Sequence, residues 1–294
     1  METLERLGRR IESAEGLQGV VRTMKTMSAL GVRRFEAASR AVRAYDAVVE
    51  QGLTAALHGA RLEGRTAEEE TGAGPRALVV IGADHGLCGR FDEGVAKLAV
   101  SEAEASPGGV AVIAVGLRLA DRLADGPAAP EIVLAAPGSI GGLAETADAL
   151  LVRIETWRRE RDVAEVLLLR NVPGAEAPAR PAETRLLPLS SAWLRELAAR
   201  PWPGRRLPMR MDARDTVLAL LIRQHLHVRV YRALADSLAA EHAARLAVMQ
   251  GAERNIADHL EDMRGRYRAR RQESITTELL EVAAGYAALG GGED

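Results

Sequence analysis

Cysteine is almost missing from this 294-residue chain: the single Cys88 excludes an intramolecular disulfide and any four-cysteine zinc site, and it is compatible with a reducing compartment. Aromatic residues make up only 3%, so any core must be built of Leu, Val and Ala, which suits packed helices better than a broad antiparallel sandwich. No run approaches the ~20 apolar residues of a membrane span, and the N-terminus lacks the apolar core of about 7–15 residues that a secretory signal needs. Work at a membrane would therefore require other chains to hold this one there. An excess of either charge is lacking too: the formal charge is −2 with acids and arginines interspersed, leaving no global electrostatic case for nucleic acid. Proline is absent between Asp212 and Leu289, where only three glycines, Gly251, Gly265 and Gly285, interrupt a stretch rich in Ala, Leu, Arg and Glu.

What is present in that stretch is a helix. As one piece it would be about 115 Å long at ~1.5 Å per residue, too long for a compact domain of this mass, so part of it must project and needs a companion. Apolar residues recur at Ile256, Leu260, Met263 and Tyr267, and again at Ile275, Leu279, Val282, Tyr286 and Leu289. Spacings of three and four predict one buried seam of a left-handed coiled coil. Tyr231, Ala235, Leu238, His242, Arg245, Met249 and Ala252 keep the spacing with small and polar residues mixed in, which reads as a poor candidate for a dry core. At the other end, Leu4, Leu7, Ile11, Leu17, Val21, Met24, Met27, Phe35, Val42, Tyr45, Val49 and Leu53 follow a similar repeat. Gly8, Gly16, Gly19 and Gly31 each weaken that helix by about 1 kcal/mol relative to Ala, so packing must supply its stability. One seam at each end of the chain predicts an antiparallel pair.

Between them the period changes. Strand-like runs at Ala77 to Gly82, Val110 to Val115, Glu131 to Ala135, Glu165 to Arg170 and Thr184 to Leu189 alternate with helical patterns at Phe91 to Glu104, Leu117 to Ala124 and Ile140 to Arg161, the signature of a small Rossmann-like α/β domain with a mostly parallel sheet. The predicted fold class is therefore α/β plus a long antiparallel coiled coil. Its parts are an N-terminal stalk helix (1–58), a polar turn-rich linker (59–75), the central α/β domain (76–190), a proline-rich connection (191–210), a C-terminal stalk helix (211–289) and a short tail (290–294).

Two stretches resemble a known family. From Ala233 to Ile256 and from Arg271 to Leu289, the residues Ser237, Glu241, Ala243, Ala244, Arg245, Met249, Asn255, Arg271, Gln272, Ile275, Thr276, Glu278, Leu279 and Gly285 match the pattern of the C-terminal helix of the γ subunit of F-type ATP synthases. The N-terminal helix resembles the same family at Ile11, Ser13, Val20, Met24, Ser28 and Ala29, while Leu17, Gly19 and Val21 depart from it. The loop GADHGLCG resembles the family's central-domain signature at Asp84, Gly86, Leu87, Cys88 and Gly89, with His85 and Arg90 as departures. The resemblance implies a central-stalk rotor subunit that couples ion flow through a membrane ring to conformational change at catalytic αβ sites. It implies no active site and no cofactor of its own. Implied partners are three α and three β subunits, the ε subunit and the c-ring; the implied location is peripheral, on the cytoplasmic face of the bacterial inner membrane. Met24, Arg271, Gln272, Thr276 and Glu278 would be rotor contacts with the αβ ring, supplying guanidinium and amide donors to carboxylates and carbonyls.

Read from the residues alone, the same motifs are plainer. GADHGLCG follows a strand but lacks the Lys-Ser/Thr ending of a phosphate loop, and its glycines are not spaced as GxGxxG. Cys88 and His85 have no third orienting group or oxyanion donors that can be placed, which favours a structural loop over a nucleophile and base. His225 and His227, at i and i+2, lie on different sides of a helix and are not a paired metal site. The basic run Arg264 to Glu273 reads as a solvated helix face. Two rival classes remain at this stage: a coiled-coil scaffold with an α/β head, and a nucleotide-binding enzyme.

Overall fold

The computed structural model describes residues 3–58, 74–106, 108–174, 178–209 and 211–290, so the expected linker lies almost entirely outside the described residues, as does the tail beyond 290. The elements are α1 (Leu4–Leu57), β1 (Arg76–Ile81), α2 (Phe91–Glu104), β2 (Val110–Val115), α3 (Leu117–Leu123), β3 (Ile132–Leu134), α4 (Ile140–Arg161), β4 (Glu165–Val172), β5 (Arg180–Leu187), α5 (Ser191–Ala199) and α6 (Arg214–Gly290). They fall into two compact units, residues 28–245 and residues 3–27 with 246–290.

In the larger unit the sheet order is β3-β2-β1-β4-β5. β1 pairs parallel with β2 and β4, β2 parallel with β3, and β4 antiparallel with β5. Pro181 is tolerated because β5 is an edge strand, where a missing N–H breaks no inner ladder. The central strands are apolar on both faces because both faces are covered. Ala77, Val79, Ile81, Ile113 and Leu168 point to one side and meet Leu143, Leu150, Ile154 and Trp157 of α4, together with Phe35 of α1 and Val230, Leu234 and Leu238 of α6. Leu78, Val80, Val112, Leu167 and Leu169, the alternate residues, meet Val95 and Ala99 of α2 and Leu119 and Leu123 of α3. Glu165, buried at the start of β4, is held between Arg76 at 2.7 Å and Arg185 at 3.0 Å.

α1 and α6 run antiparallel. Ser39 donates to Asp236 at 2.5 Å, His225 Nδ1 lies 3.2 Å from Asp46, and Arg214 donates to the Ala56 carbonyl at 2.8 Å. Here the structure corrects one expectation in part. Of the mixed stretch of α6, Ala235, Leu238 and Met249 are buried while Tyr231, His242, Arg245 and Ala252 are only half-buried; the neighbouring Ala233, Ala239, Ala240 and Ala244 are buried because small residues let the helix lie close against the sheet and α1. A second difference is α5, in residues that sequence reading left without an element. Ser190 caps it by accepting from the Trp193 N–H at 3.3 Å, and Leu197 seats with Val49, Leu53 and Leu57 of α1.

In the smaller unit the two helices are again antiparallel. Glu253 accepts from Arg22 at 3.3 Å and from Lys25, Arg264 pairs with Glu15 at 2.5 Å, and a Cβ on Gly8 would touch the Tyr267 ring at 3.7 Å. Leu7 and Leu260 are buried, at 4% and 2% exposure. The second half of the expected seam is not buried: Ile275, Leu279 and Val282 are 47%, 65% and 67% exposed. The physical reason is the face presented: the side of α6 beside Thr3 and Leu4 carries Arg270, Glu273, Ser274, Thr277, Glu278 and Glu281, so Ile275 and Leu279 lie off it. The side chains of Tyr286 and Leu289 lie outside the described residues.

Candidate functional site

The loop after β1 is built by backbone hydrogen bonds that the sequence makes possible. Gly82 N–H donates to the Val115 carbonyl at 2.8 Å, extending the parallel ladder by one residue. There the ends of β1 and β2 approach so closely that a Cβ on Gly116, whose φ is +116°, would lie 2.8 Å from the Gly82 carbonyl carbon; only glycine fits. Asp92, buried in the first turn of α2, accepts from Ala83 N–H at 2.9 Å, and Asp84 accepts from the N–H groups of Leu117 and Ala136 at 2.9 Å each. Asp84 thus ties the β1 loop to the segments that follow β2 and β3. The turn itself carries two left-handed residues, Leu87 at φ 64° and Gly89 at φ 63°. Leu87 keeps its side chain 56% exposed.

Cys88 is buried, its thiol directed at the His85 carbonyl at 3.6 Å and accepting from Arg118 at 3.5 Å. Burial first, then the charges of Asp92 and Glu241, push its pKa up. A protonated, buried thiol is no nucleophile, and the imidazole that the sequence offered as its base belongs to an exposed residue. In an open α/β sheet a ligand would sit outside the strand ends where crossovers part to opposite sides. That position, beside β1 and β4, is filled by protein: Ala83, Cys88 and Phe91 pack on Ala240 and Ala244 of α6. Arg245 closes the edge, donating to Glu241 at 2.5 Å and to the Gly86 carbonyl at 3.5 Å. Burial raises the Glu241 pKa in spite of Arg245. The structure therefore gathers Asp84, Gly86, Leu87, Cys88 and Gly89 into one structural clasp between the sheet and α6.

The other named residues lie elsewhere. Arg271, Gln272, Thr276 and Glu278 are exposed on α6 and Met24 is half-buried on α1. Since Glu253 faces Arg22 and Lys25, Arg271 stands eighteen residues further along α6, about 27 Å at ~1.5 Å per residue. Met24 and Arg271 are not neighbours. Thr276 uses its hydroxyl on the Gln272 carbonyl at 2.8 Å, and Ser274 donates to Glu278 at 3.4 Å. Arg271 has no ion-pair partner among the described residues, so its fork of donors is available to another chain. Of the expected basic cluster, Arg264 and Arg266 are spent on Glu15 and Asp262, the latter at 2.8 Å. Sequence reasoning missed the Glu253 clasp with Arg22 and Lys25; those hydrogen bonds hold the Glu253 pKa below its usual value.

Two paired terminal helices, an α/β domain whose strand-end crevice is filled by protein, and a bare helix end define a protein of the stalk-and-head class. A family model described as ATP synthase matches residues 3–289. The ATP synthase gamma chain of Granulibacter bethesdensis is 30% identical over 98% of this chain and 100% of its own length, and that of Sulfurovum sp. (strain NBC37-1) is 25% identical with the same coverage. Among solved structures, a chain of the Euglena gracilis mitochondrial ATP synthase (OSCP/F1/c-ring, rotational state 3) superposes with a TM-score of 0.63 at 17% identity, covering 98% of this chain and 95% of that one. A chain of the Tetrahymena thermophila mitochondrial ATP synthase central stalk and c-ring gives 0.58 at 18% identity, covering 79% and 99%. The chain belongs to the ATP synthase gamma-chain family, whose members form the non-catalytic central stalk. Among the described residues no helix is long and apolar enough to cross a membrane.

Proposed function

We propose that the chain turns as the rotor of an F-type ATP synthase, with the free end of α6 seated inside a ring of three α and three β subunits and the α/β domain engaging the ε subunit and the c-ring. One observation carries this reading: Ile275, Leu279, Leu280 and Val282 are exposed on α6 beside Arg271, Gln272, Thr276 and Glu278. An apolar helix end left in water is costly and marks a contact surface. A sleeve formed by other subunits would cover it, and the polar residues would then take their hydrogen bonds from the ring. Arg271 is the strongest of these contacts, since its guanidinium is uncommitted and matches a carboxylate bidentately. Met24, far from Arg271, would meet the ring at a different level.

The chemistry remains the ring's. A shaft that presents a different side to each catalytic site biases each site toward a different conformation, whereas a symmetric shaft would shift nothing. Rotation driven through the membrane ring then moves each site through binding, reaction and release. On this reading residues 1–58 and 211–289 are the stalk, residues 76–190 the head, and the protein sits peripherally on the cytoplasmic face of a bacterial inner membrane. Co-expression with the α and β subunits of the same organism tests it: a complex with one copy of this chain for three αβ pairs, active as an ATPase, is expected. A chain that elutes apart from α and β contradicts it.

A further inference from the structure

Away from the clasp and the free helix end, the larger unit holds an open cleft of about 420 Å³ between β4, β5, α5, α1 and α6. Three guanidiniums line it: Arg170 from β4, and Arg229 and Arg232 one turn apart on α6. Like charges gathered on a half-buried wall repel one another, and such an arrangement persists only if something compensates it. Within the chain the compensation is incomplete. Among the described residues Arg170 has one hydrogen-bond partner, the uncharged Thr184 hydroxyl at 2.8 Å, and the Nε atoms of Arg170 and Arg232 are both buried without a hydrogen-bond partner.

The carboxylates nearby are already engaged. Asp46 faces the ring of His225, Glu50 is 3.5 Å from Arg200, and Asp236, 3.7 Å from Arg232, accepts from Ser39. Burial depresses the pKa of Arg170 and of Arg229; the charge of Asp236 opposes this at Arg170 and that of Asp46 at Arg229, while Arg232 depresses both. Asp46 and Glu50 line the cleft too, and beside Leu189 the Trp193 ring stacks on His225 with centroids 4.6 Å apart.

We infer that this cleft binds a phosphate monoester, its phosphate oxygens taken by Arg170, Arg229 and Arg232 and its organic part lying against Trp193. Forked N–H donors match tetrahedral oxyanions in number and direction better than they match a single carboxylate. The volume is in the range of small-ligand sites and exceeds what a bare phosphate would fill. The inference does not rest on the rotor reading, since it uses no residue of the free helix end or of the clasp.

Equilibrium dialysis of the purified full chain tests it, with radiolabelled inorganic phosphate and AMP as probes, succinate as the carboxylate arm and sodium chloride at matched ionic strength as control. Saturable one-to-one binding of AMP at least as tight as that of phosphate is expected, with succinate and chloride failing to compete. Arg170→Met should weaken AMP binding by about tenfold or more, as loss of a charge-assisted hydrogen bond does. The same substitution should leave the urea midpoint of the unliganded chain unchanged or raised, because it removes a poorly compensated charge. Arg229→Lys, which keeps the charge and loses the fork, supplies the test from the facing element if Arg170→Met does not fold. No saturable binding of either phosphate probe at millimolar concentration, binding indifferent to both substitutions, or binding of succinate instead would each overturn the proposal.

Discussion

Gly31 is the residue whose substitution tests the pairing of α1 with α6 most sharply. It is buried, and a Cβ built on it would lie 2.6 Å from Cγ and Nδ1 and 2.7 Å from Cδ2 of His242. The ring cannot simply turn aside, because Phe35, one turn further along the same face of α1, stacks on it with centroids 5.5 Å apart and planes 13° from parallel. To restore ordinary contact, ring and helix must separate by about 1 Å. Alanine in place of a helical glycine contributes about 1 kcal/mol of propensity, while overpacking a filled core costs about 1–3 kcal/mol. Gly31→Ala should therefore gain nothing from the better helix former and destabilise by up to about 2 kcal/mol. Urea unfolding followed by tryptophan fluorescence measures this in the right place, since Trp157, Trp193 and Trp202 all lie in the 28–245 unit. With His242→Ala as background the clash disappears, and Gly31→Ala should then stabilise, a reversal that a double-mutant cycle isolates. If Gly31→Ala alone exceeds the parent in stability, α1 does not approach α6 as described.

Other outcomes follow from the same geometry. Gly16 and Gly19 have open space where a Cβ would go, so alanine at either should stabilise α1 by about 1 kcal/mol, read as increased helicity and urea midpoint by circular dichroism. Leu87→Gly relieves a left-handed conformation and should stabilise by about 1 kcal/mol, whereas Asp84→Ala strands the N–H groups of Leu117 and Ala136 and should cost about 2–3 kcal/mol, both by urea unfolding. Burial, aided by the charge of Arg245, lowers the His242 pKa from 6.5 to about 4. The unfolded chain then takes up a proton that the folded chain refuses, so stability falls as pH drops from 6.5 to 4. The full shift is worth about 3 kcal/mol, and screening at a ring not wholly buried leaves about 2. His242→Asn should flatten that slope against the parent. In the assembled complex, Arg271→Ala with Gln272→Ala should lower coupled ATPase activity and proton pumping while leaving the unfolding of the isolated chain unchanged; unaltered activity would count against these residues as ring contacts.

Much of the fold was legible because period and composition change together. The run ALVVI is too short and too apolar for anything but a strand covered on both sides, and Phe91 to Glu104 and Ile140 to Arg161 appear as helices at their expected bounds. α5 was hidden because nine residues set among prolines offer little periodicity. Spacing could not say what would cover a seam: Ile275, Leu279 and Val282 repeat as faithfully as Ile256 and Leu260, yet α1 starts against the polar face of Arg270, Ser274 and Glu278 instead. In the mixed stretch of α6 spacing picked out Tyr231, His242 and Arg245, which are half-buried, but not the buried alanines beside them, which allow the helix to lie close to a sheet. Of the site, the turn at Asp84 to Gly89 could be found but not its partners, and the cluster of Arg170, Arg229 and Arg232 could not be found at all, because two distant elements build it.

The rotor role is open to direct observation. With the chain assembled in its αβ ring and the ring fixed to a surface, a probe attached through a cysteine at the exposed position Lys97, far in sequence from the free end of α6, should turn in one direction on addition of ATP, pausing at three-fold positions. A probe that stays still while the ring hydrolyses ATP at its full rate would contradict it.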